Sequence, residues 1–311
     1  MKRILAFSLL LSMLFVGCGE SRVTSDIGSP ETEHIYMTES SECESLRTID
    51  TSSSTEASPK ETEVTSPDTA PDDTVDTDTD IPSEPRRVSL RVGTYNIKTG
   101  YDVGYRMEEI AADILPLDLD IVGLQEVDIG TSRAGRLDTL RLLADASGYK
   151  YYAFSRSIYY QGGEYGTAIL SRYPIMSYST EMLPTPANME QRSVGHAVID
   201  IEGFMLDYFN THLSFEDADV REGQLLYIAD LLDECSVFIL SADFNTENGE
   251  EYLLVQNSTR VNGGEYKTYN NEKALDDILL SLGWRVTEKG VYDSAGHSDH
   301  DLLWAEIECQ I

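Results

Sequence analysis

Six stretches of this sequence place a side chain able to hold metal or phosphate at the end of an apolar run. They are Asn96 in GTYNIKTG, Glu126 in DIVGLQEVD, Asn210 and His212 in YFNTHLS, Asp243 and Asn245 in ILSADFNTENG, Asp276 and Asp277 in ALDDILLS, and Ser298-Asp299-His300. The pairs at 210/212 and 243/245 are spaced i, i+2, so in an extended chain both members of a pair point the same way. Carboxylates, amides and imidazoles together suit attack on a phosphate ester. Its negative oxygens repel a nucleophile, so a hard divalent cation is needed to neutralise charge. Magnesium takes oxygen ligands, often one or two carboxylates plus waters and substrate, and Glu126 is the best first ligand on that basis. Singly, each residue has a blander reading. Asn96 could cap a turn, Glu126 could be a solvated strand end, and a lone His212 or His300 is usually structural.

The elements that must position these residues lie after Arg86. Apolar runs bounded by turn signals predict strands over 88–97, 120–127, 166–175, 194–201, 205–213, 237–244, 275–281 and 301–307. Helical stripes fall between them: Met107, Ile110, Ala111 and Ile114; Leu137, Leu140 and Ala144; Leu225, Ile228, Ala229 and Leu232. Strands alternating with helices over residues 86–311 define a single α/β or α+β domain.

Taken in order, NI, QE, THL, DFN, a D-I-L segment and SDH resemble the endonuclease/exonuclease/phosphatase superfamily, the deoxyribonuclease-I-like fold, from about Val88 to Ile307. The resemblance implies a four-layer sandwich of two packed mixed β-sheets flanked by helices, with the motifs converging at one open end. It implies Mg²⁺, or Mn²⁺ in its place, held by Asn96, Glu126 and Asp299. Asp243 would orient or deprotonate the attacking water, with Asn245 holding that water or a phosphoryl oxygen. His212 would contact phosphate oxygens or assist the leaving group, and His300 would serve in acid–base catalysis, oriented by Asp276. Arg192, in EQRSVGHAVI, takes a position where family members place a phosphate-contacting arginine, and Asn210 is grouped with it as phosphate-binding. Whether His300 or Asp243 is the base, and whether Asp276 or Asp277 is the orienting acid, the sequence leaves open.

The N-terminal part carries an address instead of chemistry. Lys2 and Arg3 precede an apolar run from Ile4 to Val16, followed by Gly17-Cys18. That is a secretory signal too short to span a bilayer comfortably. The small residue before cysteine resembles a bacterial lipobox, which implies a signal peptide over 1–17 and lipidation of Cys18. The expectation is an exported lipoprotein, tethered to a membrane at the cell surface or facing the periplasm. Of residues 19–85, 24 are Ser or Thr, 18 Asp or Glu and 6 Pro. Such a composition cannot bury enough apolar surface to offset chain entropy, so 18–85 reads as a disordered stalk and 86–311 as the catalytic domain.

The chain carries 23 Lys+Arg against 55 Asp+Glu, for a net charge of −32, and acidity belongs to both its parts. With no basic stripe, general affinity for a nucleic acid backbone is disfavoured. The reading is therefore a monomeric hydrolase of small or lipid-linked phosphate esters, monoester or diester. An extracellular nuclease of DNA or RNA is the alternative, and a catalytically silent binding module a third. Specificity is expected in the loops 98–106, 155–164, 183–192 and 257–273. Cys235 and Cys309 could pair or stay free, and no zinc-type spacing exists.

Overall fold

A computed structural model describes Ile35–Met37 and residues 86–311. Thirteen strands run in chain order: β1 (Ile35–Met37), β2 (Arg87–Asn96), β3 (Ile121–Ile129), β4 (Tyr151–Tyr160), β5 (Gly163–Ser171), β6 (Ile175–Met182), β7 (Ser193–Ile201), β8 (Phe204–His212), β9 (Phe238–Asp243), β10 (Ser258–Arg260), β11 (Asp276–Ser281), β12 (Arg285–Tyr292) and β13 (Leu302–Gln310). Helices α1 (Met107–Ile114), α2 (Thr139–Ser147), α3 (Ala218–Leu232) and the short α4 (Gly249–Tyr252) lie between them. One sheet has the order β1-β4-β5-β3-β2-β13-β12 and the other β10-β11-β9-β8-β7-β6.

Both sheets are mixed for the same reason. β2 pairs parallel with β3, and β8 parallel with β9. A parallel pair needs a crossover, supplied by α1 in the first case and α3 in the second. The remaining pairings are antiparallel. Val88, Leu90 and Val92 of β2 interleave with Tyr208 of β8 and Ile239 of β9 in the core between the sheets. On the far side of the first sheet, Tyr95, Val122 and Leu124 pack under α1 and α2. On the far side of the second, Phe209 and Leu240 pack under α3 through Leu225 and Ile228. Central strands are covered on both faces, which is why they read as continuous apolar runs and not as alternation. The result is helix, sheet, sheet, helix: the four-layer sandwich expected.

Local signals fix the helix ends. The Asp138 side chain accepts from Arg141 N at the start of α2, and Gly148 closes that helix at φ 77°. Asp217 accepts from Asp219 N and Val220 N at the start of α3.

Some expectations change. The run read as a strand over 166–175 is two elements, β5 ending at Ser171 and β6 starting at Ile175. Residues 155–160, read as loop, continue β4, and the connection to β5 is only Gln161-Gly162. Within the span read as stalk, Ile35–Met37 pairs antiparallel with Tyr151–Ala153 at the sheet edge. The signal peptide 1–17, Cys18 and the rest of 18–85 lie outside the described residues. Cys235 and Cys309 are both free, one following α3 and the other on β13 of the opposite sheet. Among the described residues, no helix is long and apolar enough to cross a membrane.

Candidate active site

The strand directions bring the motif residues together. Asn96 is the last residue of β2, His212 of β8 and Asp243 of β9, while Asp276 opens β11 and His300 precedes β13. Parallel strands end on the same side. Their antiparallel neighbours begin there, so both sheets deliver polar groups to one rim. In register, His212 stands opposite Asp243 across β8–β9, and Asp243 opposite Asp276 across β9–β11. The two sheets meet at Asn96, whose Nδ2 donates to Glu126 Oε1 at 3.1 Å and to Asp243 Oδ2 at 3.0 Å.

Glu126 reaches this rim through a distortion of its strand. The β3–β5 register shifts between Leu124 and Val127, and Glu126 adopts φ 56° inside that bulge. A left-handed conformation costs a non-glycine residue of order 1 kcal/mol or more. Bulges commonly re-aim a side chain. Here the bulge turns a carboxylate into the cavity. Asn245 also sits at φ 53°, which asparagine tolerates better.

Asp243 is the hub. Its Oδ1 accepts from Asn245 N at 2.9 Å, while Oδ2 faces His212 Nε2 at 3.4 Å and His300 Nε2 at 3.7 Å. Burial and the neighbouring Asp276 push its carboxyl up to about 7, against the opposing pull of His300 and Asn96. His300 Nδ1 donates to Asp276 Oδ2 at 2.7 Å. Burial alone would lower the His300 imidazole, but Asp276 and Asp243 outweigh it and raise the ring to about 10. His212 behaves oppositely. Burial, then Arg192 and His300, hold it well below its ordinary value, so the ring is neutral. Arg192 Nη1 donates to His212 Nδ1 at 3.0 Å, which leaves the ring proton on Nε2, facing Asp243 Oδ2 at 3.4 Å. Two histidines thus flank one carboxylate in opposite charge states.

Arg192 is buried, pairs with Glu190 Oε1 at 3.0 Å, and has an Nε without a partner. It lines the cavity, of about 460 Å³, with Glu126, His212, Asp243, Asn245, Asp299 and His300. Asp299 carries the Lys98 ammonium at 3.3 Å. The Asp276/Asp277 choice is settled by the pleat: Asp276 faces His300, whereas Asp277 faces away, accepting from Arg260 Nε and Asn262 N.

Asn210 does not take the expected role. It is wholly buried between the sheets below the rim. Its Nδ2 donates to Leu124 O and Ala168 O, and its Oδ1 accepts from Gln125 Nε2 and Ser241 Oγ. Both amide protons and both lone pairs are used, so no hydrogen-bonding capacity remains for a phosphate. Opposite it, Gly123 is obligatory, because an added Cβ would collide with Ser241 Oγ and Asn210 Oδ1. Asn96 is likewise buried and off the cavity wall, its Oδ1 accepting from Lys98 N at 3.0 Å.

Glu190, in the loop 183–192, and Tyr269 and Lys273, in the loop 257–273, line the cavity where specificity was expected, whereas Tyr165 and Phe215 of the same wall were not singled out in the sequence. Tyr269 tilts against the His300 ring at 4.9 Å. Tyr165 sits in β5 and Phe215 just beyond the His212 motif, and only their proximity in sequence to motif residues could have flagged them.

The donor set fits a hard divalent cation. Glu126 is half-buried, burial raises its carboxyl, and Asn96 Nδ2 is the one hydrogen-bond donor it has among the described residues. A carboxylate kept there without a positive partner suits an oxygen-ligated ion. Asp243, Asp276 and His300 also bring ligand atoms within 4.8 Å of one another. The tight Asp276–His300 hydrogen bond makes that group an acid–base unit in preference to a metal cage.

The sequence profile of the Endonuclease/Exonuclease/phosphatase family matches residues 93–300. The chain belongs to this family of phosphoester hydrolases, whose members typically use divalent metals. The uncharacterized protein YbhP of Escherichia coli K12 is 28% identical over 260 residues, spanning 73% of this chain and 99% of its own. Among solved structures, the endonuclease/exonuclease/phosphatase of Beutenbergia cavernae is similar with a TM-score of 0.60 and 22% identity, over 72% of each chain. The Bacteroides thetaiotaomicron mannosyl-6-phosphatase Bt3783 is similar with a TM-score of 0.57 and 22% identity, over 70% of this chain and 99% of its own.

Proposed function

We propose that the protein is an exported, membrane-tethered, divalent-metal-dependent hydrolase of small phosphate esters. The observation that carries the chemistry is Asp243 Oδ2 lying between a neutral His212 and a cationic His300 on the wall of a cavity that also holds Glu126 and Asp299. When bound at Glu126 and Asp299, with Asn96 bridging to Asp243, Mg²⁺ would neutralise charge on the phosphoryl oxygens. Asp243, ionised at working pH, takes the proton of the attacking water. His212, fixed by Arg192, directs its Nε2 proton toward that same water or toward a phosphoryl oxygen. His300, held protonated by Asp276, hydrogen-bonds the phosphoryl group as charge develops, and Arg192 adds a second positive contact. This makes Asp243 the base and His300 the cationic stabiliser.

Cavity composition supports a small ester over a polynucleotide. Its wall holds Arg192 and Lys273 as the only Lys or Arg, beside Glu126, Glu190, Asp243 and Asp299. Nucleic acid affinity depends on a track of cations, and here carboxylates outnumber them. A phosphatase among the structural neighbours agrees with that choice, and Glu190 is placed to accept from hydroxyls of a polyol substrate. The export reading rests on Lys2, Arg3, the run Ile4–Val16 and Cys18.

The test is a screen of the purified chain on sugar phosphates, a bis-aryl phosphate, sphingomyelin and plasmid DNA, with Mg²⁺ and with EDTA. Turnover of a small ester that stops on chelation is the expected result. Plasmid cleavage faster than every small ester would put the nuclease reading in its place. Turnover that survives EDTA would remove the metal.

A further inference from the structure

Away from the active-site cavity, three side chains from three elements bring a nitrogen, an oxygen and a sulfur to one point. His196 of β7, Asp207 of β8 and Cys235, just beyond α3, have ligand atoms all within 4.8 Å of one another. In the β7–β8 register His196 stands opposite Phe209, and Asp207 opposite Val198, so His196 and Asp207 are diagonal neighbours on one face. That face is the one covered by α3. The His196 ring lies flat on Phe209, 4.1 Å between centroids and 5° between planes, which fixes the imidazole plane. Its Nε2 is then 2.7 Å from Asp207 Oδ1. The chain turns back after α3 through Asp233 N to Ala229 O and Cys235 N to Leu232 O, and this turn delivers the thiol.

All three residues are half-buried, reachable from solvent yet partly dehydrated. Among the described residues, His196 is the one basic side chain within ion-pair distance of Asp207. Burial, with Asp207 next, pushes the Cys235 thiol up to about 12, so without a metal it stays protonated and is not primed for disulfide exchange. The active site offers oxygens to a hard ion, whereas this cluster offers sulfur, nitrogen and oxygen, a set that selects a borderline-soft ion.

We propose that His196, Asp207 and Cys235 form a second metal site, for Zn²⁺ or a similar transition ion, with water in the fourth position. Tetrahedral zinc with bonds of about 2.0 Å to N and O and 2.3 Å to S sets edges of about 3.3–3.6 Å. The His196–Asp207 contact must therefore open by about half an ångström and the sulfur close in, which are side-chain movements. On binding, the S–H bond breaks, an S–metal bond forms and one proton leaves to solvent. Thiolate and carboxylate then balance the dication. The ion ties the chain beyond α3 to β7 and β8, so its effect is on stability and not on turnover. No zinc spacing is visible in the sequence because each ligand comes from a different element.

The experiment titrates the reduced, metal-stripped full chain with Co²⁺ in excess Mg²⁺. One equivalent is expected to produce a near-ultraviolet thiolate-to-cobalt band, which Zn²⁺ bleaches. Cys235→Ser should remove the band and Cys309→Ser keep it. His196→Ala should weaken Co²⁺ binding by about tenfold or more. Phosphoesterase activity in Mg²⁺ should be unchanged in Cys235→Ser, so failure here is distinct from failure of the catalytic reading. If Cys235→Ser does not fold, protection of Cys235 from alkylation by Zn²⁺ in the unaltered chain decides. No thiolate band, a band that persists in Cys235→Ser, or alkylation indifferent to Zn²⁺ would each overturn the site.

Discussion

His300 Nδ1 donates to Asp276 Oδ2 at 2.7 Å, while the other ring nitrogen, Nε2, looks at Asp243 Oδ2 from 3.7 Å. One acid therefore holds the ring and the other shares the cavity with it. This pairing keeps His300 charged up to about 10 and leaves Asp243, at about 7, to titrate in the working range. Both groups bind protons more tightly folded than unfolded, so folding stability falls as pH rises through them. For His300 the contribution is whole below its unfolded value of about 6.5 and is lost as pH passes about 10. For Asp243 the loss falls between its ordinary value of 3.8 and about 7. The melting temperature of the metal-free protein should accordingly decline from weakly acidic pH toward pH 10. Asp276→Asn should flatten the alkaline part of that decline, and an unchanged slope would remove Asp276 as the cause.

The same pair shapes the rate profile. Activity should rise as Asp243 ionises, with an apparent pKa at or below about 7 because a bound cation favours the carboxylate, and fall as His300 deprotonates near 10. Asp276→Asn should move the alkaline limb to lower pH and reduce kcat by up to about 10⁴-fold, the scale for losing the carboxylate partner of a catalytic histidine. A pH–rate series of both proteins checks this; an alkaline limb that stays in place would exclude His300 as its source.

Glu126 combines a left-handed backbone, a half-buried carboxylate and one amide partner. The backbone and the desolvated charge cost stability, the single amide hydrogen bond compensates only part of it, and a bound cation is what offsets the charge. In the metal-free protein Glu126→Gln should leave the melting temperature equal or higher, because the desolvated charge is gone. Saturating Mg²⁺ at a hundred times its dissociation constant should stabilise the unaltered chain by about 2.7 kcal/mol, and the variant far less. Thermal melts with and without Mg²⁺ test this. A variant that melts lower without metal and still responds to Mg²⁺ would count against Glu126 as a ligand.

Much of the site was legible because polar residues ending apolar runs stand out, and Asn96, His212, Asp243, Asp276 and His300 all do end or precede strands. What was not legible follows from depth and curvature. The i, i+2 spacing of Asn210 and His212 gives their shared face but not that Asn210 is one pleat further in, between the sheets. The bulge at Glu126 leaves no mark in LQEVD. Strand β4, YYAFSRSIYY, places exposed tyrosines at its end and so resembled a loop. Strand β12, RVTEKGVY, is an edge strand with no wholly buried residue, so its apolar pattern is faint.

Asn210 provides a direct contrast between structural and substrate-binding roles. Its four hydrogen bonds join Leu124, Gln125, Ala168 and Ser241 across the two sheets. Asn210→Ala should cost about 2–4 kcal/mol, several buried groups losing a partner at about 1–3 kcal/mol for each one left unsatisfied. KM should stay near that of the unaltered enzyme at a temperature where both are folded. A KM that rises severalfold without loss of stability would return Asn210 to the substrate.

Arg192 should behave in the opposite way. It is buried, reaches His212 Nδ1 and Glu190 Oε1 through Nη1, and lines the cavity. A lysine has a single ammonium that cannot hold His212 and still present a second donor to phosphate. Arg192→Lys should therefore lower kcat/KM by about 10²-fold, the scale for losing one oriented charge-assisted donor in a transition state. In Arg192→Met, which removes both the donor to Nδ1 and the positive charge, His212 should also protonate more readily. The rate profile of the variant should then lose activity on its acid side at higher pH than the unaltered enzyme. Steady-state kinetics across pH read both effects. A variant whose kcat/KM falls while the acid limb stays fixed would confine Arg192 to the substrate and release His212 from its control.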